Sequence, residues 1–320
     1  MKNHHLKIIT ALEINKDLWN GYLENKPIPP LARFEWKYVL ENVYNVETIY
    51  LMVLNKKDSV VGTLPLYFIN DYSGKSMAFA LKYGFIFENE TIGEYLLEYL
   101  DNILIEKDAV YTSLSTGTIK YNLKYKEDVS YTVILELMSN KDSMWSFLSA
   151  KVRNMVRKAE RDGIIVQSGK DKIKQFYDVY AQRMINKNTR IHSIDYFIKI
   201  IKFFPDNVEL FIATKEEKTV GGMLLFYNKE NGMYMYGGSR IIKKQTSPNQ
   251  LLLWKMVEFS IDKGLKYLDL GESLPGTGVH NFKLWFGGKT KKIYSYSSKE
   301  FNFDKISFSN NKLSFIKRQF

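Results

Sequence analysis

The segment between residues 208 and 288 constrains this chain most. Three apolar stretches, Val208 to Thr214, Thr219 to Tyr227 and Met233 to Gly237, are separated by the short polar turns Lys215-Glu216-Glu217-Lys218 and Asn228-Lys229-Glu230-Asn231-Gly232. Connections that short join neighbouring antiparallel strands, because a parallel connection needs a dozen residues or more. A helix is predicted from Pro248 to Lys263, with proline in the first turn, where its missing N–H costs nothing, and Gly264 closing it. A strand Tyr267 to Leu270, a glycine-rich loop, a short helix around Phe282 and a strand Lys291 to Ser297 follow. Upstream, Trp145, Leu148, Val152, Met155, Val156 and Ala159 recur at three- and four-residue steps and mark a helix that ends at Asp162-Gly163. Ile173, Phe176, Tyr177, Tyr180 and Met184 mark a second helix, and Ser193 to Phe203 a third. The expectation is an α+β fold, a mixed and mostly antiparallel sheet flanked by helices.

The first half repeats this pattern at low resolution. Helices are predicted at Asp17 to Leu23, Phe34 to Tyr44 and Thr91 to Ile105, and strands at Thr48 to Leu54, Ser59 to Phe68, Ala109 to Ser113 and Ser130 to Leu137. At ~150 residues per domain, 320 residues make about two. The polar stretch Met138 to Ser143 is the expected junction. Domains are therefore expected at residues 1–138 and 139–298, with a C-terminal extension at 299–320.

Charge changes at the same place. Residues 1–138 hold 14 Lys+Arg against 18 Asp+Glu, net −4, whereas the remainder holds 32 against 17, net +15. A field of that sign attracts phosphate-bearing ligands or an anionic membrane surface, although a lysine-rich chain is also simply soluble. Cysteine is absent, which excludes disulfides, thiolate metal sites and a cysteine nucleophile. The four histidines, His4, His5, His192 and His280, have no zinc-ligand spacing, so no metal is expected. No apolar run approaches the ~18 to 20 residues that span a bilayer, and no signal peptide is recognisable at the N-terminus. A cytoplasmic protein is expected; the Phe- and Lys-rich residues after Glu300 can form an amphipathic segment on the inner face of the membrane, and a loosely packed C-terminal extension is the commoner explanation of the same residues.

Three groups of residues carry candidate chemistry. Arg153, Arg157 and Arg161 fall at i, i+4, i+8 opposite the apolar stripe, with Lys151 and Lys158 beside them. A guanidinium row at that spacing can grip successive phosphates through forked hydrogen bonds, and it can also be a solvated helix face. Tyr234 and Tyr236 lead into Gly237-Gly238-Ser239-Arg240 and then the helix opening at Ser247-Pro248. A strand running into glycines and a helix N-terminus offers N–H groups to an anion, while ordinary turn chemistry produces the same pattern. The third group is Leu268-Asp269-Leu270-Gly271-Glu272-Ser273, then Gly276-Thr277-Gly278, His280 and Asn281-Phe282-Lys283-Leu284-Trp285-Phe286. A carboxylate with a nearby lysine can deprotonate an amine and stabilise the oxyanion formed when that amine attacks a carbonyl. A structural ion pair or helix cap would use the same residues.

The segments WSFLSAKVRNMVRKAERDGI (Trp145 to Ile164), YGGSR followed by SPNQLLLWKMVEFSIDKG (Tyr236 to Gly264) and YLDLGESLPGTGVHNFKLWFGG (Tyr267 to Gly288) resemble the Fem-type peptidyltransferases and the related BioF2-like or CelD-like acyltransferases. VVGTLPLYF (Val60 to Phe68) is similar to the first domain of the same group. The resemblance implies two tandem acetyltransferase-like (GNAT) domains. It implies an acyl-CoA or aminoacyl-tRNA co-substrate and an amine of a cell-envelope precursor or surface glycan as acceptor. It places Phe282 and Lys283 on the family's Phe-Lys pair, Arg153 and Arg157 on its Arg-rich helix, and Ser273 and Gly278 on its glycine loop. Phe286 stands where many relatives have tryptophan, and Glu272 where many envelope-associated ones have arginine.

The resulting expectation is an N-acyltransferase with no bound cofactor. Lys283 stabilises the oxyanion, and Glu272, Asp269 or water takes the proton of the amine. Arg153, Arg157, Lys158, Tyr236, Ser239, Ser273, Gly278, His280 and Phe282 are expected to contact substrate. The alternative is a non-catalytic RNA-binding or scaffold protein on a transferase fold.

Overall fold

A computed structural model of the chain describes residues 6–24, 26, 28–70, 75–189, 191–240 and 247–298. Their contacts divide into two units, one running through Ser130 and resuming at Lys292, the other spanning Tyr131–Lys291. The expected 299–320 extension lies outside the described residues, as does the 241–246 segment ahead of the predicted helix at Pro248.

The first unit contains β1 (Lys7–Thr10), α1 (Lys16–Glu24), α2 (Trp36–Tyr44), β2 (Glu47–Leu54), β3 (Val60–Asn70), β4 (Ser76–Ala80), β5 (Ile86–Phe87), α3 (Glu90–Glu106) and β6 (Ala109–Gly117). Strands β1 to β4 pair antiparallel in sequence order, and β5 adds to β3. Strand β6 lies parallel to β4, with α3 in the connection. Helix α3 is capped by Asn89, whose Oδ1 accepts from the Ile92 N–H at 3.2 Å, and it buries Leu96, Leu97 and Leu100 against the sheet. Strand β7 (Lys126–Glu136) carries the chain across Tyr131 into the second unit.

The second unit contains α4 (Lys141–Phe147), α5 (Ala150–Arg161), β8 (Ile165–Ser168), α6 (Ile173–Asn186), α7 (Ile194–Phe203), β9 (Val208–Lys215), β10 (Lys218–Tyr227), β11 (Asn231–Ser239), α8 (Pro248–Asp262), β12 (Tyr267–Glu272), α9 (Gly278–Trp285) and the start of β13 (Lys289–Ser297). Strands β8 to β11 form the predicted antiparallel ladder with one strand added at its edge. Helix α8 crosses over to β12, which lies parallel to β11 on one side and antiparallel to β7 on the other. Helices α5 and α8 cover one face of this sheet, where Val152, Val156, Leu252, Met256 and Val257 are buried with Leu225 and Leu268. Trp254 and Val257 belong to this core, as their helical spacing suggests. Helix α6 packs against β10 and β11 on the other face, so closely that a Cβ at Gly238 would overlap the Val179 carbonyl oxygen.

Two irregularities shape the sheet. In β11 the register shifts at Met235, with Leu224 opposite Tyr236 and Leu225 opposite Tyr234. Residues two apart then lie on opposite faces. Tyr236 packs with Tyr180 and Phe197 of α6 and α7, and Tyr234 packs with the α5/α8 core. In β12 Asp269 is opposite Ile134 and Glu272 opposite Thr132, so one extra residue is accommodated between them.

The structure differs from the sequence reading at the junction. Asn140 caps α4, its Oδ1 accepting from the Ser143 N–H at 2.8 Å, so the polar Met138 to Ser143 stretch is largely a helix start, and the units divide near residue 130. The strand expected to end the second domain belongs mostly to the first. Tyr294 to Ser297 pair with β6, and the Tyr296 hydroxyl donates to the Tyr121 carbonyl at 2.8 Å. Strands β1, β4 and β8 are short, four or five residues each, and their patterns are too brief to read in one dimension.

Candidate active site at the end of strand β12

The site is built around the bulge. Gly271 takes the left-handed conformation, φ +84°, which an L side chain adopts only at a cost. The Asp269 carboxylate fixes the bulge from inside: Oδ1 accepts from the Thr132 hydroxyl and, at 2.8 Å, from the Gly271 N–H. Both side chains are buried, Asp269 at 3% exposure and Thr132 at 0%. The turned peptides direct two consecutive carbonyl oxygens to one side. The Lys283 ammonium meets both, donating to Gly271 O at 2.7 Å and Glu272 O at 2.9 Å. Lys283 is only 3% exposed, so this is a buried cation supported by backbone dipoles at a strand end.

Helix α9 delivers that lysine. Thr277 caps it, its hydroxyl accepting from the His280 N–H at 3.3 Å. His280 and Lys283, three residues apart, face inward together, and Phe286 anchors the far end, fully buried and edge-on to Phe282 at 5.6 Å. The His280 imidazole bridges two hydroxyls, Ser273 Oγ at Nδ1 and Thr290 Oγ1 at Nε2, each 2.9 Å away. Ser273 is half-buried and its N–H donates to Tyr131 O at 3.0 Å. The bulge therefore gathers Asp269, Glu272, Ser273, His280, Phe282 and Lys283 within one strand end and one short helix. Gly278 opens α9 as an exposed residue behind the Thr277 cap.

The remaining candidates are deployed elsewhere. Arg153 turns inward and donates from Nη1 to Ser146 O at 3.0 Å and to Leu148 O, tying α4 to α5, so the expected row of three phosphate-gripping guanidinium groups is reduced at its first member. Arg157 is exposed, with its guanidinium 5.4 Å from the Trp145 ring centroid, and Lys158 is half-buried. Lys151 sits 3.9 Å above the Trp285 ring and joins the start of α5 to the end of α9. Tyr236 is buried, its hydroxyl 2.9 Å from that of Tyr196 and 3.4 Å from His192 Nε2. Its position under α6 and α7 makes it a packing residue of that face. Ser239 ends β11 half-buried, opposite Gly221. Tyr234, on the other face, has its phenol pushed up to about 12 by burial, with Arg183 opposing part of that rise.

Sequence reasoning missed Thr132, Thr290 and the Tyr196–Tyr236–His192 cluster. Thr132 reaches Asp269 from 137 positions away, and an alternating strand threonine carries no mark of such a partner. Among the described residues there is no group of three potential metal ligands and no helix long and apolar enough to cross a membrane.

Residues 146–284 match the family model of the acetyltransferase (GNAT) domain. No curated protein matches the chain. Among solved structures, the chain is similar to FemX, with 13% identity and a TM-score of 0.70, covering 97% of this chain and 99% of that one. It is also similar to a tandem GNAT protein from the clavulanic acid biosynthesis pathway, at 9% identity and a TM-score of 0.56, covering 93% and 100%. L-PGS from Bacillus licheniformis follows the same fold at 11% identity and a TM-score of 0.54, covering 87% and 96%. At these identities the shared property is the fold. The segment that matches the acetyltransferase model lies within the second unit, and the chain as a whole shares the fold of tandem GNAT structures, as the motif resemblance implied. Domain and fold together support an acyltransferase.

Proposed function

We propose that this protein transfers an acyl or aminoacyl group from an activated donor to an amine of a cell-envelope precursor or surface glycan, working in the cytoplasm. The observation that carries this reading is the buried Lys283 ammonium at the bulged end of β12, inside the segment that matches the acetyltransferase model. Such a charge, held in place before reaction, favours the oxyanion that develops when an amine attacks a thioester or ester carbonyl. Asp269 is committed to Thr132 and the Gly271 N–H, so its task is to hold the bulge and, through it, the lysine. The proton of the amine leaves to a base at the mouth of the strand.

The donor carries phosphate in either form, acyl-CoA or aminoacyl-tRNA, and the +15 half of the chain suits both. The exposure of Arg157 and Arg161 on α5 supports this reading, because both guanidinium groups are open to a phosphate. Titration with bulk deacylated tRNA over a salt series, with CoA as competitor, separates the two. Tight binding with a steep salt slope and no response to CoA identifies an aminoacyl-tRNA donor. Weak tRNA binding that CoA displaces identifies a thioester donor. With the matching donor, Lys283→Ala lowers turnover by roughly two to three orders of magnitude. Undiminished turnover in that variant removes the lysine from the chemistry and the reading with it.

A further inference from the structure

The chain Ser273–His280–Thr290 is more than the bulge or the cap of α9 requires. Thr277 already caps the helix, and Lys283 and Asp269 already hold the strand end. His280 is 3% exposed, yet both ring nitrogens are engaged by hydroxyls at 2.9 Å. One of these hydroxyls, on Ser273, is half-buried next to Glu272, the residue whose carbonyl holds the Lys283 ammonium at 2.9 Å. The other, on Thr290, belongs to an exposed position of β13. The three side chains thus run from the candidate reaction centre to the surface. Imidazole is the side chain that can accept a proton at one end, donate one at the other and change charge near neutrality.

We propose that Ser273, His280 and Thr290 form the proton relay that deprotonates the acceptor amine, an assignment that rests on the acyl-transfer reading. Ser273 Oγ is the catalytic group that touches the amine, and His280 is the positioning residue that acts through it. As the amine nitrogen bonds to the carbonyl carbon of the donor, its proton passes to Ser273 Oγ, and the serine's own proton passes to His280 Nδ1. The bond from that carbon to the leaving sulfur or oxygen breaks, and the leaving atom takes a proton from water. The imidazolium returns to the neutral ring by losing the Nε2 proton through Thr290 Oγ1 to solvent. The elements that pack around His280 carry the ionisable side chains Tyr267, Asp269 and Glu272 on β12, Lys283 on α9, Lys289, Lys291, Lys292, Tyr294 and Tyr296 on β13, and Lys126, Glu127, Asp128, Tyr131 and Glu136 on β7.

The relay requires one tautomer: hydrogen on Nε2 and an open lone pair on Nδ1. Long-range ¹H–¹⁵N NMR of the full chain labelled with ¹⁵N-histidine reads this without any substrate, with His280 assigned by the signal missing in His280→Gln. A neutral ring protonated on Nε2 is expected, and a ring protonated on Nδ1 overturns the relay. With the donor identified by the tRNA and CoA titration, His280→Gln and Ser273→Ala each lower kcat on the order of 100-fold. Each also abolishes the limb of the pH–rate profile that reports the base, which a merely structural loss would leave in place. Retention of that limb in His280→Gln, with its loss in Glu272→Gln, transfers the role to the carboxylate and overturns the proposal. Absence of turnover in the unaltered protein counts against the acyl-transfer reading, and the tautomer still decides the relay.

Discussion

Replacing Gly271 by alanine tests the geometry on which the candidate site depends. At φ +84° an L-residue is strained by roughly 1–2 kcal/mol. The added methyl carbon would lie 3.2 Å from the Tyr234 carbonyl oxygen, a tight approach, and 3.9 Å from Lys283 Nζ, an ordinary one. Together these give a loss of about 1–2 kcal/mol, or about 2–8 °C in Tm at about 2–4 °C per kcal/mol. The sign is diagnostic. In an ordinary extended strand the same substitution would stabilise by about 0.4–1 kcal/mol, because alanine restricts the unfolded chain. Relief of the strain by rotating the peptide after residue 271 would also turn one carbonyl away from Lys283, and transfer is expected to slow on the order of tenfold, about 1.4 kcal/mol. Gly264→Ala is the control. Gly264 is left-handed too, φ +76°, closes α8, and has open space where its Cβ would be, so it should lose the same stability and keep the full rate. Thermal unfolding followed by tryptophan fluorescence, with turnover measured on the same preparations, reads both effects. An alanine variant at 271 that is as stable as the unaltered protein, or more so, refutes the left-handed bulge and the carbonyl pair built on it.

Thr132→Val removes the hydroxyl that donates to buried Asp269 while preserving volume, and a loss of ~1–3 kcal/mol is expected in urea unfolding. Transfer should fall with it, because Asp269 holds the bulge. The two arginines of α5 should separate cleanly. Arg153→Ala loses its bonds to Ser146 and Leu148 and costs stability, whereas Arg157→Ala leaves stability within about 0.5 kcal/mol and reduces the polyanion salt slope by about one. In alkali, burial holds several phenols protonated in the folded protein, pushing Tyr234 up to about 12 and Tyr50 and Tyr67 well above the ordinary phenol range, while an unfolded chain ionises at about 10. Their contribution is complete below that value and is lost as the pH rises through the folded values. Absorbance at 295 nm should therefore show a late group of tyrosines titrating together with loss of structure, and a single smooth titration near 10 would contradict this.

Much of the fold was legible because its signals are local. The β9 to β11 ladder is written in alternation and short turns, α5 and α8 in three- and four-residue apolar spacing, and the β12 to α9 stretch in its glycines. These patterns put the candidate site residues on what the structure shows to be strand β12 and helix α9. They could not show that Arg153 turns back onto α4, because exposed and inward guanidinium groups have the same spacing. Nor could they show that Tyr236 is buried, since simple alternation places it on the same side as Tyr234 and the Met235 bulge separates them.

The sequence by itself determined that this chain has an α+β fold, two units and no cysteine chemistry, and it placed Asp269, Glu272, Ser273, His280 and Lys283 within fifteen residues of one another. Only the tertiary structure decided what these residues touch. A left-handed glycine, supported by a threonine from β7, aims two carbonyls at one lysine, and a threonine from β13 completes the His280 chain. Strand register between β7 and β12 and the return of the chain into β13 create those contacts. Both depend on the packing of segments far apart in sequence, which no local pattern of residues encodes.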